Sequence, residues 1–202
     1  MKLKLTVLLL FTMLIILICF FTNQEHFQNQ NETDQIPKVI HHINLDNNMT
    51  FDIVQIDSFK TIIWNKEMID KHLKWSLELR KMYDIETTIK GKKNIASVLI
   101  LNQYGGIYID QDICDKTNLA RYIEKANHQE TNFFAFREPN LNYLNNRFIG
   151  STPGNPVLTF MIDKMEEMCD GYQQIREKIP VDLVTGMGLL SKTDIYNYHI
   201  TV

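Results

Sequence analysis

Apolar positions follow three regimes along this chain. Residues 5–21 form an uncharged, mostly Leu/Ile/Phe run behind Lys2 and Lys4. Residues 23–35 are polar and rich in Asn and Gln, the composition of a stem or linker. From residue 36 onward, short β-rich runs alternate with stretches of helical period. Residues 36–44 (IPKVIHHIN) read as a first strand, and 51–56 and 61–64 as two further short ones. Asn65 can cap a helix running to Tyr83, with a stripe of Met68, Trp75, Leu79, Met82 and Tyr83 and with Ile69 and Leu73 beside it. Within residues 93–104 the chain is largely apolar from Ile95 to Leu101, so period alone does not choose between helix and strand. Gly105 as a stop favours a buried helix there. Residues 107–113 and 131–136 are predicted strands, and 119–126 a short helix. Asn155-Pro156 is a helix start with cap and first-turn proline. That helix has a core stripe of Leu158, Met161, Ile162, Met165 and Met168, and Gly171 ends its regular part. The alternation predicts an α/β sandwich with a mostly parallel sheet.

The run at 5–21 is at the lower edge of the length that spans a bilayer. Its positive flank predicts an uncleaved signal-anchor: residues 1–4 cytosolic, 5–21 transmembrane, 22–35 a stem, and 36–202 one lumenal or extracellular domain. A cleaved signal peptide is the alternative, but Cys19-Phe20-Phe21-Thr22 offers no small-x-small cleavage site. Sequons at Asn31 and Asn48 fit a secretory lumen. Cys19 falls in the anchor, which leaves Cys114 and Cys169 available to pair in an oxidising compartment. With 21 basic and 24 acidic residues, the net charge of −3 gives no footprint for nucleic acid.

The richest chemistry lies in Gly105-Gly106-Ile107-Tyr108-Ile109-Asp110-Gln111-Asp112. Side chains alternate along a strand, so Asp110 and Asp112 are expected on one face, with Tyr108 on the same side. Two carboxylates there make a hard-oxygen site for Mn²⁺ or Mg²⁺. Gly105 and Gly106 lack a Cβ, so backbone or ligand can approach closely. Three readings compete. A nucleotide-sugar transferase would bridge the pair through a cation to the donor diphosphate. An Asp-nucleophile phosphatase would use Asp110 as nucleophile. A surface turn with two solvated acids needs no chemistry. The phosphatase reading is weakened by Cys114, where that motif expects Thr or Val, and by the long stretch of fold before the motif. His41 and His42 alternate on the first strand, one inward and one outward; a core role for His41 competes with a nucleotide contact.

The strings Ile36-Pro37-Lys38-Val39-Ile40-His41 and Leu101-x-x-x-Gly105-Gly106-Ile107-Tyr108-x-Asp110-x-Asp112 resemble glycosyltransferases with the DxD sugar-binding motif. That group includes α-1,6-mannosyltransferases, inositol phosphoceramide mannosyltransferases and α-1,4-galactosyl/N-acetylglucosaminyl transferases. Asn145 to Ser151 followed by Asn155-Pro156, and Val184-Thr185-Gly186, are similar to later family segments. The resemblance implies a GT-A fold, a nucleotide-sugar donor, Mn²⁺ or Mg²⁺, retention of configuration, a lipid or glycan acceptor, and a single-pass type II Golgi membrane protein. It points to GDP-mannose, with a UDP-hexose as the alternative. By the same resemblance Asp110 would contact donor sugar or ribose, and Asp112 would ligate the metal. Gly105, Gly106, Tyr108, His41, Asn94 and Ser97 would line the donor site. The chain departs from the family where Ser-Asp-x-x-Arg is expected and Lys93-Asn94-x-x-Ser97 stands. Serine cannot replace the charged fork of arginine. Asn44 replaces an aromatic, and Met187 a proline. These departures favour a catalytically weak or inactive membrane-anchored paralogue as the alternative.

Overall fold

A computed structural model describes residues 35–46, 53–111, 113, 119, 121–124, 126, 131–137 and 144–191. The proposed anchor, the stem up to residue 34, the sequons, Cys114 and Asp112 lie outside the described residues. Among the described residues, no helix is long and apolar enough to cross a membrane.

The elements run β1 (Val39–Ile43), β2 (Lys60–Trp64), α1 (Lys66–His72), α2 (Leu77–Ile85), α3 (Ile89–Tyr104), β3 (Gly106–Ile109), β4 (Phe133–Arg137), β5 (Leu144–Ser151), α4 (Pro156–Glu167), a 3₁₀ turn (Cys169–Gly171), α5 (Tyr172–Lys178), α6 (Val181–Val184) and α7 (Met187–Leu190). Residues 121–124 are also helical. The sheet order is β2-β1-β3-β5-β4. β1 is parallel to β2 and β3, whereas β5 is antiparallel to both β3 and β4. The expected mostly parallel sheet is therefore corrected to a mixed one, with four strands in one direction and β5 inserted against them. β5 was not legible as a strand because Asn145, Asn146, Arg147 and Gly150 interrupt its apolar pattern.

Both sheet faces are covered. One cluster joins Tyr108, Ile43 and Trp64 to the helices through Leu79, Met82, Ile95, Leu99, Leu158 and Met161. The other packs Ile40, Ile107 and Ile109 against Leu119, Ile123 and Phe148. This explains why β3 reads as continuously apolar. It also buries both His41 and His42, correcting the expectation that one faces outward. α3 is buried from Lys93 to Leu101 all round, which is why its sequence carries no helical stripe.

The single helix expected over 65–83 is two. The Asn65 side chain caps α1, as predicted. Leu73 then turns extended, and the Ser76 hydroxyl accepts the Leu79 N–H to start α2. The break is stabilised from α3. Gln103 accepts from the Lys74 N–H at 3.0 Å and donates to its carbonyl at 2.6 Å, while Tyr104 donates to the His72 carbonyl at 2.8 Å. Residues 53–56 of the second expected strand join no ladder. The helix start at Asn155-Pro156 agrees with expectation. Cys169 is a buried free thiol donating to the Glu78 carbonyl at 3.4 Å, so the structure does not pair it with another cysteine.

Candidate functional site

β1 lies between β2 and β3, so the chain leaves β1 in one direction across the sheet and later returns on its other side. Ligands in open α/β sheets sit beyond the carboxyl ends of strands at such a reversal. Asp110 follows the last residue of β3, Ile109, and so stands at this point. The predicted strand over 107–113 ends earlier than expected. The Asp110 Oδ1 accepts the Gln111 N–H at 2.8 Å, and the Asp110 carbonyl accepts the Ile113 N–H at 3.3 Å. The chain turns directly after Asp110, and Asp112, expected on the same face, lies outside the described residues. β5 runs the opposite way and brings its amino end alongside. The Asp110 N–H donates to the Arg147 carbonyl at 2.8 Å.

The helix preceding β3 returns antiparallel to it, which carries the first turns of α3 to the same end of the sheet. Lys93 Nζ lies 3.3 Å from Asp110 Oδ1, with side-chain exposures of 7% and 13%. Beside it, Asn94 Oδ1 accepts from Asn146 Nδ2 at 2.8 Å, and Asn94 Nδ2 donates to Thr185 Oγ1 at 3.4 Å. Gly186 closes this cluster, since a Cβ there would stand 2.9 Å from Asn94 Nδ2 and 3.1 Å from Asn146 Nδ2. The Ser97 hydroxyl donates to the Asn94 carbonyl of its own helix at 3.1 Å. Asn94 thus holds α6–α7 and β5 together, and Ser97 bonds within α3.

Glu86 fixes the start of α3. Its Oε1 accepts from the Thr88 N–H at 2.8 Å and hydroxyl at 2.6 Å, while Oε2 accepts from Tyr172 at 2.5 Å and Arg176 at 2.9 Å. Thr88 Oγ1 in turn accepts the Gly91 N–H at 3.1 Å, capping the helix that carries Lys93.

The other sequence candidates lie elsewhere. Gly105 and Gly106 sit at the amino end of β3, across the strand from Asp110. Gly105 (φ +62°) ends α3, with its N–H donating to the Leu101 carbonyl at 2.8 Å. Its missing Cβ makes room for Pro153 and Pro37, so protein fills the space a ligand was expected to use. Tyr108 is buried in the helix-side core. Trp64 Nε1–H donates to His41 Nδ1 at 3.0 Å, which leaves His41 Nε2–H to donate to the Gly105 carbonyl at 2.9 Å. Both ring nitrogens therefore tie β1 to the glycine turn. Lys93, Asn146 and Glu86 were not singled out as site residues from sequence. A lysine two residues before a run of apolar positions was the available signal for the first.

Burial drives the His41 pKa from 6.5 down to about 4, against the pull of the Gly105 carbonyl and with a smaller push from His42. Burial raises that of Glu86, but hydrogen bonds from Arg176, Thr88 and Tyr172 outweigh it and hold the carboxyl at about 2. Both are depressions, so both stabilising contributions are complete at neutral pH and lost on acidification. The His41 contribution, on the order of 3 kcal/mol by linkage, fades between pH 6.5 and about 4. That of Glu86 follows between pH 4.5 and about 2. Thermal melting is expected to drop steadily from pH 7 to pH 4; a flat melting temperature over that interval would contradict the buried neutral His41.

The chain has a glycosyltransferase-like α/β fold with a mixed sheet. Among solved structures it is similar to the PaToxG glycosyltransferase, with a TM-score of 0.53 at 16% identity, covering 89% of this chain and 76% of that one. It is also similar to an uncharacterized glycosyltransferase of Acanthamoeba polyphaga mimivirus, 32% identical over 111 residues, or 53% of this chain. It spans 42% of the length of that curated relative. No family model matches.

Proposed function

We propose that the chain is a metal-dependent glycosyltransferase that moves a hexose, with mannose favoured, from a nucleotide-sugar donor to a lipid or glycan hydroxyl with retention. The observation that carries this reading is a carboxylate, Asp110, held at the reversal point of a glycosyltransferase-like sheet with an ammonium beside it. One Asp110 oxygen is engaged by Lys93 and the Gln111 amide, which suits contact with donor hydroxyls better than primary metal ligation. The metal, Mn²⁺ or Mg²⁺, falls to Asp112 in this reading. Among the described residues, no group of three or more His, Cys, Asp or Glu could hold it. When bound, such an ion neutralises charge developing on the leaving diphosphate. The protein's own residues orient the donor: Asp110 through hydroxyls, and Asn146 and Asn94 by holding the walls in place. An anchor at residues 5–21 in the Golgi membrane completes the proposal.

The test is donor hydrolysis by the full chain with GDP-mannose, UDP-galactose and UDP-GlcNAc, with and without Mn²⁺. Turnover of one donor is expected, dependent on Mn²⁺ and lost in Asp112→Asn. No turnover and no nucleotide binding under any condition would sink the reading. A second reading, a binding paralogue without turnover, draws support from Asn94 and Ser97, which are neutral and committed to internal bonds. It predicts nucleotide binding with no hydrolysis of any donor.

A further inference from the structure

We infer that Lys93 is the resident cation of the donor site and receives the diphosphate of a nucleotide donor, so that part of the donor's affinity is independent of divalent metal. The inference rests on the glycosyltransferase reading of this same site. Three lysines crowd the start of α3, and the fold treats them differently. Lys90 is surface-exposed and pairs with Asp182, and Lys92 lies over the Tyr83 ring at 5.0 Å. Lys93 alone of the three is buried, with its side chain 7% exposed. Removing an ammonium from water is costly unless something uses the charge. Asp110 uses it loosely: 3.3 Å exceeds the length of a tight charge-assisted hydrogen bond. An ammonium has three donors, and among the described residues the structure gives Lys93 one acceptor. The polar side chains bonded together beside it, Asn94, Asn146 and Thr185, are neutral.

The electrostatic consequence is direct. The Asp110 carboxylate at the carboxyl end of β3 repels a diphosphate. Lys93 cancels that charge and keeps further donors on a flexible four-carbon stem. The buried cation on this helix stands at position 93, beside Asp110, while position 97 is a serine whose hydroxyl bonds back within the helix.

Calorimetric titration of UDP and GDP into the full chain, once in EDTA and once in Mn²⁺, tests this. Wild type is expected to bind one of the two nucleotides in EDTA. Lys93→Met should lose about ten- to a hundred-fold in affinity there, the size of one charge-assisted bond. Lys93→Arg should recover most of it. Should Lys93→Met fold poorly, Lys93→Met/Asp110→Asn compared with Asp110→Asn alone isolates the same loss without a buried unpaired acid. Unchanged EDTA affinity in Lys93→Met, or in the double variant against its parent, overturns the role of Lys93 alone. Binding by wild type only in Mn²⁺ also overturns it and leaves the proposed function standing. No binding of either nucleotide with Mn²⁺ overturns both.

Discussion

Gly106→Val is expected to lower the melting temperature by about 10 °C or more. Gly106 sits at φ +93°, a region that L side chains rarely adopt. A Cβ built there falls 2.6 Å from the Val39 carbonyl oxygen and 2.9 Å from His41 Nε2. Neither neighbour can give way cheaply. The Val39 carbonyl is backbone at the start of β1, next to the β1–β3 pairing. The His41 ring is locked between the Trp64 indole and the Gly105 carbonyl. Backbone strain costs about 1–3 kcal/mol, and overpacking about as much again. That is a large fraction of the stability of an ordinary domain. A melting temperature within about 2 °C of wild type would mean that the turn relaxes without cost, and the account of the glycine pair would fail.

That account changes how the glycines are read. From sequence they marked a place where a ligand could come close. The structure uses both vacancies for its own atoms: prolines and a histidine against the turn, at the end of β3 away from Asp110. The motif is thus two devices in series. One sets the register of β3 against β1, with His41 opposite Tyr108. The other delivers a carboxylate at the far end. Local chemistry made some of this legible. The cap and proline at Asn155-Pro156 act within one turn, and α4 starts where they say. The turn that ends β3 after Ile109 is also local, but an apolar run with acids at alternate positions looks the same whether or not it continues. β5 and the break between α1 and α2 depend on distant partners: β3 and β4 for the first, Gln103 and Tyr104 for the second. Lys93 belongs with these. In sequence it is one lysine among three at a helix start, and only the antiparallel return of α3 against β3 turns it toward Asp110.

Asp110→Asn is expected to reduce donor turnover by about 10²–10³-fold, the scale of removing one electrostatic contact from a transition state. The replacement is isosteric. Its amide oxygen can still accept from the Gln111 N–H and from Lys93, so the turn after β3 should survive. Removing one member of a buried ion pair is destabilising, but this pair is loose at 3.3 Å and keeps an edge to solvent. The melting temperature should therefore fall by less than about 5 °C, roughly 1–2 kcal/mol. Turnover and stability are thus expected to separate, which a purely structural Asp110 would not allow. The two aspartates should separate as well. If Asp110 serves the donor and Asp112 the metal, nucleotide-dependent Mn²⁺ binding followed by electron paramagnetic resonance persists in Asp110→Asn and disappears in Asp112→Asn. Loss of Mn²⁺ binding in both would return Asp110 to the metal and leave Lys93 facing a metal ligand. A cation so placed competes with the ion, so Lys93→Met would then tighten Mn²⁺ binding.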